Sequence, residues 1–187
     1  MKTKLSAIIL FASACAFAWT ISPVAYMVRS QDTTFVMPHA VYGDLPGVIE
    51  AKTGQAYGLN ISKEFGRIRL STEALYVSVP LKRVAVAGKE KNWGDKADGW
   101  QASVGLGYKL SLLENWRVVP SASVGYQDLL GGGATASVGV DIERSIWKNG
   151  SVALSVREQW SQDTKYEGLT VDNGLSTFVG IKLGWRF

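Results

Sequence analysis

The segment from Leu175 to Phe187 alternates between apolar residues and polar or small ones, and it ends on an aromatic residue. Alternate side chains of a β-strand point to opposite faces, so this period of two predicts a strand with one apolar face. That face carries Leu175, Thr177, Val179, Ile181, Leu183, Trp185 and Phe187. The other face carries Ser176, Phe178, Gly180, Lys182, Gly184 and Arg186. An apolar face that finishes on Trp and Phe suits contact with lipid, and the opposite face suits a polar interior.

The amino-terminal segment predicts export across a membrane. A positively charged start precedes an apolar run, Leu5 to Phe17, that is too short to span a bilayer. Ala16-Phe17-Ala18 then offers the small residues that a signal peptidase requires. We expect residues 1–18 to be a cleaved signal peptide and residues 19–187 to form one domain. Two alternatives stay open, namely a retained membrane anchor and lipoprotein processing at Cys15, which follows a poor lipobox.

Composition excludes several classes of function. Cys15 is the only cysteine, so the predicted mature protein has neither disulfides nor zinc sites built from thiolates. Without the lysines of the signal segment the formal charge is only slightly positive, and no dense basic stripe indicates nucleic-acid binding. No metal-ligand spacing, Walker pattern or phosphate-binding glycine loop occurs. We therefore expect no metal and no cofactor.

Seven segments, including the last one, alternate well enough to be predicted as strands. They span residues 56–62, 67–76, 100–112, 116–126, 134–142, 152–160 and 175–187. No apolar run reaches the length of a membrane-spanning helix, and in hydrocarbon the alternative is a closed barrel without unpaired strand edges. We therefore predict an all-β fold, an eight-stranded antiparallel transmembrane up-and-down β-barrel.

The eighth strand must come from the region before residue 44, because a barrel with both ends in the periplasm needs an even number of strands. We place it at Thr33 to Gly43, with Asp44 to Thr53 as the first external loop. Pro38 is awkward in that strand, and Val24 to Ser30 is a rival segment.

The connections differ in length, which predicts the orientation of the barrel. Tight turns are predicted at 63–66, 113–115 and 146–150, and longer polar stretches at Leu81 to Gly99 and Asp163 to Asn173. Outer-membrane barrels have short periplasmic turns and long external loops. The charged 81–99 loop, which contains Trp93, is a possible contact for lipopolysaccharide phosphates or a host protein. The alternative is a solvated loop.

Charged residues fall on the inward faces of the predicted strands. A barrel of eight strands is just wide enough for side chains to fill it, so charges of both signs should pair there. We predict a plugged polar lumen, with an ion path as the alternative. Arg67 and Arg186 are also expected to point inward, and the predicted charge network comprises Arg69, Glu73, Lys109, Arg117, Asp141, Glu143, Arg157 and Lys182.

Evidence for enzymatic chemistry is weak. His39 is the only histidine, and it is not part of a His-x-Ser motif, so we expect a structural histidine at a strand or its rim. Aromatic residues instead mark the expected membrane interfaces. Trp100, Tyr126 and Trp160 are expected at the outer interface, and Trp116, Trp147, Trp185 and Phe187 at the inner one.

The carboxy-terminal strand resembles the insertion signal of bacterial outer-membrane β-barrels, with Phe178, Gly180, Leu183, Trp185 and Phe187 in its spaced positions. The whole chain resembles small outer-membrane barrels of the OmpX/Ail and OmpA-transmembrane type. This resemblance implies a non-enzymatic envelope protein in the bacterial outer membrane, with loops for surface interaction. Its implied partners are outer-membrane lipids, lipopolysaccharide and the barrel assembly machinery. A lipid A-modifying enzyme and a small channel for hydrophobic solutes remain alternatives, because no functional motif carries over.

Overall fold

A computed structural model describes residues 19–30, 33–39, 42–90, 96–129, 132–162, 164–166, 169–171 and 174–187. The predicted signal peptide and Cys15 lie outside these residues. The strands are β1 (Trp19–Ser30), β2 (Thr33–His39), β3 (Gly43–Ala51), β4 (Gly54–Phe65), β5 (Ile68–Val86), β6 (Lys89–Glu90), β7 (Lys96–Tyr108), β8 (Leu110–Leu113), β9 (Trp116–Gln127), β10 (Gly133–Trp147), β11 (Gly150–Ser161), β12 (Thr164–Tyr166), β13 (Leu169–Val171) and β14 (Leu175–Arg186). Among the described residues, no helix is long and apolar enough to cross a membrane.

Eight of these strands close into the predicted antiparallel barrel. Around the barrel the order is β1, β4, β5, β7, β9, β10, β11 and β14, and β14 then pairs with β1 from Thr20 opposite Arg186 to Ser30 opposite Ser176. The N–H of Phe187 also donates to the Trp19 carbonyl at 2.9 Å across the closing pair. Closure leaves no barrel edge unpaired, as a membrane-spanning sheet requires.

The first barrel strand is β1, so the prediction of Thr33 to Gly43 was wrong, and the rival segment Val24 to Ser30 lies within the true strand. Both faces of β1 are largely apolar. Val24, Tyr26 and Val28 are buried inside while Ala25 and Met27 face outward, and this hides the period of two. Residues 33–39 instead form β2 outside the barrel, paired with β3 in place of the expected loop.

The outer end of the molecule forms an additional structure, the external sheet, which consists of β12, β13, β2, β3, the outer end of β5, and β6. Its apolar core contains Phe35, Ile49, Val84 and Val86. Gly47 is needed here, because a Cβ at this position would stand 2.2 Å from Cζ of Phe35. The predicted 81–99 loop is therefore largely strand, although residues 91–95, and Trp93 with them, lie outside the described residues.

The outward barrel surface is an apolar band between two aromatic groups. At the outer end, Tyr76 lies 5.4 Å from Tyr57 and 5.3 Å from Trp100, measured between ring centroids. At the other end, Trp147 and Trp185 lie 5.8 Å apart. Two-residue hairpins such as that between Phe65 and Ile68 lie at this second end. We call it the periplasmic end, because outer-membrane barrels place their short turns there.

Candidate functional site

The centre of the lumen contains an ion pair across the barrel. Glu73 of β5 and Arg157 of β11 are both buried, and Nη1 of Arg157 donates to Oε1 of Glu73 at 2.6 Å. The Tyr26 hydroxyl and the Asn60 amide donate to the other carboxylate oxygen, at 3.0 and 3.4 Å. The Arg157 guanidinium lies 4.5 Å from the ring centroid of Phe178. Hydrogen bonds thus stabilise the Glu73 carboxylate, and the ion pair and an aromatic ring stabilise the Arg157 guanidinium.

Two further pairs lie between this centre and the periplasmic end. Nζ of Lys182 lies 3.0 Å from Oδ2 of Asp141. Nη2 of Arg69 lies 2.5 Å from Oε2 of Glu143. The partners of each pair come from strands that are not neighbours in the sheet, so both pairs cross the interior of the barrel.

Glu64, at the periplasmic end of β4, is the most connected acid in the lumen. Its carboxylate lies 2.6 Å from Lys109, 2.8 Å from Arg69 and 3.0 Å from Arg186, with Arg117 at 4.0 Å. The sequence placed Glu64 in a tight turn, whereas the turn begins only after Phe65. Continued alternation from Asn60 through Ser62 was the signal that would have identified it.

Arg67 does not point inward as predicted. It lies in the turn itself, where Gly66 has a positive φ of 62° and the chain reverses, so the period of two no longer applies. Its Nη1 donates to the Tyr108 hydroxyl at 3.4 Å on the outside of the barrel.

Among the residues that the structure describes, the outer half of the lumen has no charged side chain, and apolar side chains supplement the polar filling that the sequence predicted. On one side, Val28, Leu75, Val77, Val79 and Phe178 form a buried apolar cluster. Leu129 packs against this cluster. An apolar filling of this kind opposes the passage of ions.

Three glutamines line the other side of the outer half. Nε2 of Gln101 donates to Oε1 of Gln159 at 2.7 Å, and Nε2 of Gln159 donates back at 3.2 Å. Nε2 of Gln159 also donates to Oε1 of Gln127 at 3.2 Å, and Gln127 donates to the Ser161 hydroxyl. Gln159 is only 1% exposed, so these amides depend on one another for hydrogen bonds.

Cavities in the lumen are small. One of about 50 Å³ lies beside Asp141 and Lys182, and another of about 50 Å³ lies in the outer half between Val77, Gln159 and Phe178. Volumes of this size hold one or a few water molecules and exclude an organic solute. The side chains therefore fill this lumen.

The five residues of the predicted insertion signal divide between the two faces of β14. Leu183, Trp185 and Phe187 face outward, whereas Phe178 and Gly180 face the lumen. Gly180 is required by close packing, because a Cβ there would lie 2.1 Å from the Ala25 carbonyl oxygen. The Phe178 ring meets the Tyr26 ring edge-on, with centroids 5.9 Å apart.

Outside the barrel, Nζ of Lys96 lies 2.7 Å from Oδ2 of Asp98, just beyond Trp100 at the outer end. The hydrogen bond from Lys96 holds the pKa of the Asp98 carboxyl below its usual value. His39 is the last residue of β2 in the external sheet, opposite Gly43, and its side chain lies outside what the structure describes.

No family model matches the sequence, and no curated protein matches it either. The fold, however, matches solved outer-membrane barrels. The crystal structure of OprG from Pseudomonas aeruginosa superposes with a TM-score of 0.60 and 13% identity, covering 92% of this chain and 96% of OprG. Neisserial surface protein A gives a TM-score of 0.58 and 9% identity, covering 91% and 97%. AlkL in lipid bilayers gives 0.57 and 11%, covering 91% and 90%.

These likenesses show a shared fold. Together with the closed barrel and its apolar outward band, they define the class by its fold: the chain is a small eight-stranded β-barrel with the architecture of bacterial outer-membrane proteins. The external sheet lies at the end of the barrel opposite the short turns.

Proposed function

We propose that the protein is a non-enzymatic outer-membrane barrel that binds a ligand at the cell surface through its external sheet. The observation that carries this proposal is that β5 continues beyond the barrel into a sheet with its own buried core, around Phe35 and Ile49. Spanning the membrane requires no such sheet. External segments of this kind are where binding residues concentrate on barrel scaffolds.

The charges on the external sheet suit recognition of a polar ligand. Lys82 and Arg83 both approach Glu50, at 3.2 and 3.9 Å, and the Lys82 side chain is 65% exposed. Surface pairs of this kind contribute little to stability. The exposed Lys82 side chain is therefore placed to contact a ligand such as lipopolysaccharide or a host matrix protein.

An excision variant tests the proposal. Because Val28 of β1 pairs with Gly54 of β4, replacing residues 31–51 with a short Gly-Ser turn leaves a normal barrel hairpin. We expect this variant to remain heat-modifiable in the outer membrane, while cells carrying it lose binding to immobilised matrix proteins or lipopolysaccharide. Lys82→Gln with Arg83→Gln keeps the sheet and removes two of its cations, so this variant should bind more weakly than the wild type if these charges recognise the ligand. Wild-type binding by the excised variant would contradict the proposal.

A second candidate function, binding or passage of a small uncharged solute, is favoured by the neutral outer half of the lumen. The residues that line its cavity, including Val77, Gln159 and Phe178, carry no charge. Such a solute would have to displace side chains, because the cavity is only about 50 Å³. Faster uptake of an apolar solute into vesicles that contain the protein would support this candidate, and uptake equal to that of empty vesicles would remove it.

The final strand is proposed to be the segment that the barrel assembly machinery recognises. Phe187 supports this proposal because its side chain is 71% exposed, which leaves it free for contact during assembly. Deleting Phe187 should lower the amount of heat-modifiable barrel in the outer membrane, and an unchanged amount would refute this role.

A further inference from the structure

Basic residues predominate at the periplasmic end of the barrel. The cations there are Lys63, Arg67, Arg69, Lys109, Arg117, Arg144, Lys148 and Arg186, whereas the acids are Glu64, Glu114 and Glu143. Some of these cations form ion pairs inside the lumen, where Glu64 and Glu143 pair with inward-facing arginines and Lys109. The remaining cations lie on the outside of the barrel or in its turns.

Lys63 is buried, and the three others, Arg67, Arg144 and Lys148, are here called the rim cations. Nζ of Lys63 lies 4.9 Å from the ring centroid of Trp19, and the Arg144 guanidinium lies 5.3 Å from that of Trp116. Arg67 contacts the Tyr108 hydroxyl, and Lys148 is exposed in the turn after Trp147. Two of the rim cations thus contact an aromatic residue at this end of the barrel, Arg144 at the ring of Trp116 and Arg67 at the hydroxyl of Tyr108.

The aromatic neighbours of the rim cations indicate how deep in the membrane these charges lie. Tryptophan and tyrosine girdles mark the headgroup region of a bilayer, so cations seated on them lie where lipid phosphates lie. Arg67, Arg144 and Lys148 form no salt bridge with any residue in the described part of the chain. At the outer end, by contrast, Lys82, Arg83 and Lys96 each approach a carboxylate.

We propose that the rim cations bind the phosphate groups of anionic phospholipids in the periplasmic leaflet of the outer membrane. Guanidinium and ammonium groups bind phosphate oxygens through charge-assisted hydrogen bonds. Basic clusters at a membrane surface select anionic lipids over zwitterionic ones. The ring of Trp116 holds Arg144 at the interface, because a ring face attracts a cation without neutralising its charge. This site is separate from the external sheet and does not depend on its function.

Lipid retention during native mass spectrometry tests the proposal on the folded barrel. The test variant is Arg67→Gln, Arg144→Gln and Lys148→Gln, and the control is Lys52→Gln, Lys82→Gln and Lys89→Gln, which removes equal charge at the outer end. Phosphatidylglycerol and phosphatidylethanolamine are offered together, and the ratio of the two bound lipids is measured. We expect the preference of the test variant for phosphatidylglycerol to fall about fivefold for each charge removed. The control should retain the wild-type preference. An unchanged preference in the test variant, or an equal loss in the control, would overturn the proposal.

Two additional measurements keep the result unambiguous. Arg67→Lys with Arg144→Lys preserves the charges and should preserve the preference; a loss in this variant, once heat modifiability shows that it is folded, would contradict an electrostatic site. Inositol hexakisphosphate is the soluble probe for a general anion site. If it displaces phosphatidylglycerol when both are present at equal concentration, the site serves soluble polyanions, and the assignment to lipid is wrong.

Discussion

The two halves of the lumen are built from strands with the same alternation, yet one half is ionic and the other is neutral. Toward the periplasm, Glu64, Glu73, Asp141 and Glu143 each pair with a cation from a strand that is not a neighbour in the sheet. Toward the outside, apolar side chains around Leu75 pack against a group of glutamine amides. The comparison shows that alternation decides which side chains point into the lumen. The chemical type of those side chains decides whether ion pairs or apolar packing fills it.

The two halves should respond differently to substitution. An ion network in a medium of low dielectric depends on the presence of every partner, because a charge left alone there is strongly destabilising. An apolar cluster depends on volume, because the loss is set by removed contacts and the cavity left behind. Substitutions that remove one partner of an ion pair and substitutions that reduce the volume of an apolar side chain therefore distinguish the two halves.

The largest effect is expected from Glu73→Ala. This change leaves Arg157 buried without its carboxylate, and it removes the acceptor for Tyr26 and Asn60. Breaking a buried pair from one side should lower the free energy of unfolding by about 3–5 kcal/mol. Urea unfolding of the refolded barrel in lipid vesicles measures it. The double variant Glu73→Leu with Arg157→Leu should recover much of the loss; if it is no more stable than Glu73→Ala, the loss did not arise from an orphaned charge.

Leu75→Ala is the matching change in the outer half. Leu75 is fully buried among Val28, Val77 and Phe178, so the substitution leaves a cavity and should lower the free energy of unfolding by about 2–5 kcal/mol. The same urea titration measures it. Leu75→Met, which conserves volume, should lose much less. A loss as large for Met as for Ala would show that shape, rather than filled volume, governs this half.

Gln159→Leu should have an intermediate effect. It removes the amide that joins Gln101 to Gln127, and their buried polar groups then lack partners. The expected loss is about 1–3 kcal/mol, which is the cost of leaving such groups unsatisfied. Gln159→Glu would add a charge to the neutral half and should lower the free energy of unfolding further. If Gln159→Glu were the more stable of the two, the outer half would tolerate charge as the periplasmic half does.

The sequence predicted seven of the eight barrel strands, because each shows a period of two with an apolar outward face. It did not identify β1, because Val24, Tyr26 and Val28 fill the lumen with apolar groups and remove the contrast between the faces. In the external sheet, β2 was assigned to the barrel and the other strands were mistaken for loops, because segments such as β3 contain Pro46, Gly47 and charges, which suggest turns.

The members of the lumen network were predictable, whereas their pairing was not. Inward positions follow from alternation within each strand, and the eight predicted residues all form ion pairs in the structure. Which cation meets which acid depends on the stagger between strands on opposite walls of the barrel, and a single sequence does not display that stagger. Glu64 was missed because its position in the chain is next to a turn, although its side chain enters the lumen.

The smallest effect is expected from Asp98→Asn, which tests whether ion pairing matters equally outside the lumen. Lys96 lowers the pKa of Asp98, so this carboxylate contributes stability above its ordinary pKa of about 4 and loses that contribution as the pH falls through the lower value of the folded state. Water and salt screen this outer pair, unlike the pair of Glu73 and Arg157. Urea midpoints of the wild type and of Asp98→Asn should differ only slightly at neutral pH, and they should coincide at low pH or in about 1 M salt. A large difference that survives salt would mean that the outer rim depends on its charges as strongly as the periplasmic half of the lumen does.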